Sequence, residues 1–366
     1  MKIVSPLLKR VVYPCLAGTG YLHRRTGRGD FCVVTYHGVL PHGYRLSDTA
    51  LDGSLVSAHT LRGQFRLLKT RYNVISPEQW LAWCEDQEEL PPRAILLTCD
   101  DGLQNALTDM LPILQEEELP CLFFVTAASV EEYPQMLWYE ELYLMLLKAA
   151  DWKLVLKISP MAANADSNSP DRRREFWWKL VQNLSQCDHS SRRDFMNSAR
   201  FVLQLTNNWN AEYSEETADR HRFFLMASSG LKQLAAAGMT IGAHTLSHPI
   251  LSQLPAESAW KEISECRHLL ENTLGKPVWA LAYPFGDSGS VAQREWEMAQ
   301  RAGYKCAFLN FGGGFGAHGS RYAVPRVHVT ADMEISEFEA HVSGFYQGLR
   351  RRMRMNAPVS AVAEKN

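Results

Sequence analysis

Four short segments of this chain carry side chains whose types and spacing can do chemistry. In Leu97-Thr98-Cys99-Asp100-Asp101-Gly102 an apolar run ends in two adjacent carboxylates and a glycine. Acids at the C-terminal end of a strand lie on the face where α/β folds place their chemistry. Adjacent side chains diverge, so one acid can bind a cation while the other accepts a proton. Read alone, the pair is more simply an N-cap with a surface acid beside it. In Gly242-Ala243-His244-Thr245-Leu246-Ser247-His248-Pro249 two histidines four residues apart fall on one side of a helical turn. With Asp101 they form a two-imidazole, one-carboxylate set that suits a divalent cation and leaves positions open for water and substrate. Zn²⁺ heads the candidates, followed by Co²⁺, Ni²⁺ and Fe²⁺. The third segment, Tyr283-Pro284-Phe285-Gly286-Asp287, has a glycine that permits unusual backbone angles, so that a backbone N–H could face a developing oxyanion. The fourth, Tyr36-His37-Gly38, ends another apolar run in a histidine, for which a buried structural role is the simpler reading.

The elements that must position these groups alternate. Residues 31–37, 94–99, 121–126, 239–243, 278–284 and 304–309 are short apolar runs bounded by Gly, Pro or Asp, as in strands buried on both faces of a parallel sheet. Helical spacing separates them: Leu103, Leu107, Met110, Leu111 and Leu114; Leu231 to Ala237 before Gly238; and Ala259, Ile263, Leu270 and Leu274 before Gly275. Such alternation predicts βα units in a parallel sheet or barrel. Residues 128–228 break the rhythm with helical patterns around Trp138–Ala149 and Arg174–Leu184 and a polar loop at 164–170. They read as a helical insertion, in which Trp177 and Trp178 serve either core packing or a sugar platform, packing being the simpler use. The predicted organisation is a basic segment over 1–29, a main domain over 30–345 interrupted at 128–228, and a basic tail over 346–366.

Composition narrows the class. The 366 residues hold 38 Lys plus Arg against 40 Asp plus Glu, a net charge of −2 that does not suit a general nucleic-acid binder. Eight scattered cysteines lack a C-x-x-C pair and read as free thiols of a reducing compartment. No stretch approaches the length of a membrane span, and Val11–Leu22 is a poor signal-peptide core because Pro14, Gly18 and Gly20 interrupt it. Cations nevertheless gather at the ends: Lys2, Lys9, Arg10, Arg24, Arg25 and Arg28, then Arg350, Arg351, Arg352 and Arg354. Solvated tails are the plain reading. The sharper one is a cytoplasmic protein touching the anionic inner face of a membrane, with an exported form less favoured.

In this order, the four segments resemble the polysaccharide deacetylases, the carbohydrate esterases that share a NodB homology domain. TCDDG stands where that family has T-F-D-D-G, His244–Pro249 matches H-[ST]-x-x-H-P, and LAYPFG matches the long form of the third motif. FCVVTYHGV and YAVPRVHV resemble the first and closing strands of the subgroup acting on exopolysaccharides, and the resemblance covers about 30–127 and 230–330. It implies an α/β fold, a distorted (β/α)₇ barrel with the helical stretch inserted. It also implies metal-dependent removal of acetyl groups from N-acetylated amino sugars of a polysaccharide or a lipid-linked precursor. On the matching positions Asp101, His244 and His248 would hold the cation, Asp100 would be the general base, Phe285 would offer a backbone N–H to the oxyanion, and His37 would be the general acid.

Three positions depart from the family pattern. Cys99 replaces an aromatic residue on the core side. Ala282 stands where an arginine orients the base, a charge that Arg326 could replace. No L-x-H motif closes the chain, which makes His328 a rival to His37; alternation along its strand could turn it from the mouth, and His37 is preferred for its strand-end position. Two other functions fit parts of the pattern. A sugar deformylase or non-carbohydrate C–N amidase would share the cation and base. A silent carbohydrate-binding or scaffold protein would need no base and so would not keep Asp100.

Overall fold

Runs of β-branched and aromatic residues without polar alternation pair here as parallel strands. The computed structural model describes residues 6–24, 31–45, 48–130, 135–149, 151–159, 169–206, 208–315 and 319–355. Its strands are β1 (Phe31–Tyr36), β2 (Asn73–Ile75), β3 (Ala94–Cys99), β4 (Leu122–Val125), β5 (Thr240–Ala243), β6 (Ala280–Ala282), β7 (Cys306–Gly312) and β8 (Val324–His328). Neighbours run β1-β8-β7-β6-β5-β4-β3, and β1 pairs with β3 from Phe31 opposite Ala94 to Tyr36 opposite Cys99. Seven strands thus close a parallel barrel, the (β/α)₇ architecture that the family resemblance implied.

β2 is the eighth strand and has no counterpart among the runs read from the sequence. It takes the first half of one β3 edge, up to Ile75 opposite Leu96, while β4 takes the rest from Thr98 opposite Leu122. One edge shared by two strands distorts the barrel. Three residues of which Ile75 alone is buried leave no periodicity to detect. The third-motif run expected over 278–284 is a strand only at Ala280–Ala282, because Pro284 cannot donate to a ladder and the chain turns there.

Side-chain alternation divides the core in two. Val33, Leu96, Leu122, Phe124, Ala282 and Phe308 fill the barrel interior, whereas Val34, Leu97, Cys99, Phe123 and Leu281 face the surrounding helices. Cys99 therefore packs, as its core-side position predicted. The helix Ala256–Leu274 ends at Gly275 with φ 64°, as its pattern requires. After Gly102 the helix begins as a wide π turn, Ala106–Met110, and tightens over Leu111–Glu116. Pro112 has no N–H for a helical bond to Thr108, which favours the widened turn before it.

The described part of 128–228 is helical and has its own apolar cluster, built on Leu142, Tyr143, Leu146, Phe176, Leu180 and Met196. The loop read at 164–170 falls mostly outside the described residues. Arg222, fully buried, ties this unit to the segment after β1. Its Nε donates to Asp52 at 2.6 Å, and its Nη2 donates to Glu140 at 2.9 Å and to the Leu51 carbonyl at 2.9 Å. The described parts of the two basic ends are helices too, Leu8–Val12, Tyr13–Gly18, Tyr21–Arg24 and Phe345–Met355. Tyr13 and Leu22 are buried against Ala340 with Phe345 packed alongside, so these ends are folded onto the barrel rather than solvated.

Candidate active site

All the strands are parallel, so their C-terminal ends share one mouth, and the four chemical segments meet there. Backbone bonds across the barrel fix their levels: Asp100 N–H donates to Tyr36 O at 2.9 Å, His244 N–H to Val125 O at 2.8 Å and Tyr283 N–H to Phe308 O at 3.1 Å. The side chains converge on a cavity of about 270 Å³ whose lining includes His37, Asp100, Asp101, His244, His248, Phe285 and His328.

Asp100 and Asp101 do diverge. Asp101 Oδ1 lies 3.4 Å from Nε2 of both His244 and His248, and the three ligand atoms fall within 4.8 Å of one another. His244 Nδ1 is 2.8 Å from the Ala282 carbonyl, which can only accept, so Nδ1 carries a proton and Nε2 is the nitrogen that faces Asp101. Asp101 Oδ1 is buried without a hydrogen-bond partner. A buried carboxylate oxygen facing two imidazole nitrogens is a donor set that fits a shared divalent cation. Ala282, which has no side chain to orient the base, orients this ligand through its carbonyl.

Asp100 is held by Arg326, on β8. Nη1 donates to Oδ1 at 2.7 Å and Nη2 to Oδ2 at 2.6 Å, while Nε donates to the Leu309 carbonyl at 2.6 Å and Nη1 also reaches Thr98 Oγ1 at 3.0 Å. The guanidinium is wholly buried near the Phe124 and Phe308 rings. Burial pushes the Asp100 carboxyl up, but the Arg326 charge, helped by His244, outweighs it and leaves the acid below the usual carboxylate range.

His37 and His328 both line the cavity, with ring centroids 4.7 Å apart. The expectation that strand alternation could turn His328 from the mouth is overturned. Arg326 and His328 are two residues apart and therefore share a face, so a strand that aims one inward aims both. His328 Nδ1 lies 3.2 Å from Asn310 Oδ1, at the irregular register between β7 and β8. Burial, reinforced by the neighbouring His37, lowers the His328 pKa to about 3.

The motif turns are strained where chemistry needs them. Asp101, Thr245, His248 and Phe285 all have positive φ, at 75°, 66°, 56° and 59°. Each would cost about 1 kcal/mol elsewhere, and such conformations gather at functional sites. Gly38, at φ 121°, has no substitute, since a Cβ there would overlap the side-chain oxygen of Asn105, which accepts from Val39 N–H at 3.0 Å.

Several supporting residues were not read from the sequence. Ser247 N–H donates to Glu262 Oε2 at 2.9 Å, Arg192 Nη2 donates to Ser247 O at 3.2 Å, and the Trp138 indole N–H donates to His248 O at 3.3 Å. A signal existed: Glu262 and Arg192 each lie within the apolar stripe of a helix, beside Ala259 and Ile263 in one case and Met196 and Ala199 in the other. Trp177 is buried and donates to Tyr139 O at 2.7 Å, which is packing, yet it lines the cavity together with Trp178, which is 46% exposed.

The polysaccharide deacetylase family profile matches residues 87–148 and 197–307. The YxkH protein of Bacillus subtilis (strain 168), named for that family, is 25% identical over 112 residues, 31% of this chain and 39% of its own length. The chain therefore aligns with about two-fifths of that relative. Streptococcus pyogenes deacetylase PplD, solved in complex with acetate, superposes with TM-score 0.53 at 15% identity, covering 86% of this chain and 99% of its own. IcaB from Ammonifex degensii gives 0.53 at 16%, with 87% and 98% covered. A de-N-acetylase from Aggregatibacter actinomycetemcomitans gives 0.51 at 16%, with 85% and 99% covered. These superpositions establish a shared fold.

Proposed function

The chain belongs to the polysaccharide deacetylase family, and from that premise we propose that it hydrolyses the acetamido group of N-acetylated amino sugars in a polysaccharide or its lipid-linked precursor. One observation carries the reading: the convergence of Asp101, His244 and His248 beside an Asp100 already clamped by Arg326. Deacetylases and a de-N-acetylase among the structural neighbours support the same bond type.

In this reading Asp101, His244 and His248 hold one divalent cation, Zn²⁺ by preference. That cation would supply Lewis acidity, polarising the acyl oxygen and acidifying a water. Asp100 takes the proton of the attacking water, and Arg326 keeps it ionised and turned toward the cavity. The water oxygen bonds to the acyl carbon, the carbon–nitrogen bond breaks, and acetate and a free amine leave. The Phe285 N–H offers a donor to the oxyanion on its positive-φ turn. His37 delivers the proton to the departing amine. His328 already has one ring nitrogen directed at Asn310 and is uncharged at neutral pH, which suits it to orienting His37.

The test is acetate release from a panel of N-acetylated glycans and lipid-linked amino sugars, with metal analysis of the same sample. Asp100→Asn is expected to retain the metal and lose turnover; Asp101→Asn is expected to lose both. Release of formate from N-formyl sugars without acetate release would favour a deformylase. Undetectable metal together with glycan binding but no turnover would favour a silent binding protein.

A further inference from the structure

Residues 7–24 and 345–352 have one face committed to the barrel and another left open. On the inner side Tyr13 and Leu22 are buried, and the Tyr13 ring meets Phe345 edge-on at 6.3 Å. On the outer side Leu7 is 63% and Val11 48% exposed; four residues apart in a helical run, they share a face. Pro14, Cys15 and Gly18 continue outward with no charge, all exposed. Ile335, two residues before the Lys9 partner Glu337, is 45% exposed as well. Aliphatic side chains exposed in a row are unusual on a soluble monomer and mark a contact surface.

Two exposed acids flank this stripe, Asp332, which pairs with Lys9, and Glu334 beside Ile335, and cations outnumber them. Arg10, Arg24, Arg350, Arg351 and Arg352 are all exposed. The sequence has no acid from 1 to 29 and none from 340 to 363. The nearest buried acids are turned inward and engaged: Glu337 with Lys9 at 3.0 Å, and Glu339 with Arg71 at 2.6 Å. The outward field is therefore cationic around an apolar strip, the pattern that lies on an anionic bilayer surface. No helix among the described residues is long and apolar enough to cross a membrane, so the contact would be peripheral.

Topology places the Lys9 end of the strip beside the mouth, whereas Phe345–Arg352 begins at the far end of the helix Ile335–Val342. Lys9 also pairs at 3.2 Å with Asp332, in the segment joining β8 to the helix Ile335–Val342 and hence on the rim carrying Asp100 and His244. We propose that Leu7, Val11, Arg10 and Arg350–Arg352 form a docking surface for a bilayer rich in anionic lipid. The proposal goes beyond the hydrolase reading and is independent of it.

The test uses the full chain with vesicles of phosphatidylcholine alone or with phosphatidylglycerol added, followed by co-sedimentation. The expected result is binding to the anionic vesicles only, weakening as salt shortens the Debye length. Replacing Arg350, Arg351 and Arg352 together with Gln is expected to lower partitioning at least tenfold, since each cation contributes about fivefold. Leu7→Ser with Val11→Ser is expected to lower it by about tenfold. Both variants should keep the parent melting temperature and its activity on a soluble substrate. Absence of vesicle binding, equal binding to both vesicles, or variants that bind like the parent would overturn the proposal. So would a dimer in solution that Leu7→Ser with Val11→Ser dissolves, which would make a second copy the occupant of this face.

Discussion

Arg326 on β8 meets Asp100 after β3 through two parallel hydrogen bonds, 2.7 and 2.6 Å long, in the closed interior of the barrel. A lysine offers one point charge and cannot reproduce this fork. Arg326→Lys is expected to lower kcat about 10²-fold with little change in KM, since it disturbs the base rather than binding. The arginine holds the Asp100 carboxyl down, so its loss raises that pKa and moves the acid limb of the kcat/KM profile to higher pH. Unchanged metal content together with a shifted limb would support the role; an unshifted limb would refute it.

His37 and His328 meet edge to face in the cavity lining, with ring centroids 4.7 Å apart, and mutation of each separates their roles. His37→Ala is expected to cost far more rate than His328→Ala, on the order of 10²-fold or greater if His37 donates the proton. Substrates with a better leaving amine should recover most of the loss in His37→Ala, because they need less proton donation. A larger loss in His328→Ala, recovered in the same way, would transfer the acid role to His328.

The barrel was legible because parallel strands covered by helices are apolar throughout, as AILLTC and CLFFVT show. β2 was not, since a strand of three residues with one buried side chain has no pattern. Asp100, Asp101, His244 and His248 lie at strand ends with fixed spacing, and their convergence was legible for that reason. Arg326 stood out as a lone cation in an apolar strand. Its partnership with Asp100 also implied that His328, two residues on, faces inward, a consequence of period 2 that the sequence reading did not carry through. The support from the insertion was hidden because Arg192 and Ser247 are 55 residues apart, and only the fold brings them together.

Arg192 and Glu262 hold Ser247 from opposite sides, and Trp138 holds the His248 carbonyl, so the insertion braces the turn between the two histidines. Partners that orient ligands are usually worth 10- to 100-fold in metal affinity. Arg192→Met keeps the stem and removes the donors. It is expected to weaken divalent-cation binding by about tenfold, measured by titration calorimetry on the metal-free protein, while kcat at saturating metal changes less. Equal affinity in parent and variant would show that the turn stands without the brace.

His341 gives the fold a measurable pH dependence away from the cavity. Its ring stacks on Tyr346 at 4.1 Å and 20°, its Nε2 is buried without a hydrogen-bond partner, and burial lowers its pKa to about 4, with Lys9 and Arg350 adding to the effect. Above pH 6.5 the folded and unfolded states are both neutral at this site. Between 6.5 and 4 the unfolded chain takes up the proton and the folded chain resists it, so stability falls as pH falls, by up to about 3 kcal/mol. Below about 4 the site adds no further loss. His341→Phe keeps an aromatic face toward Tyr346 and cannot protonate. Urea unfolding of both proteins at pH 7.5 and pH 4.5 is expected to show a smaller acid-induced loss in the variant, by about 2 kcal/mol or more. The comparison cancels every carboxylate and histidine common to the two proteins, so equal losses would mean that His341 is not held neutral in the folded state.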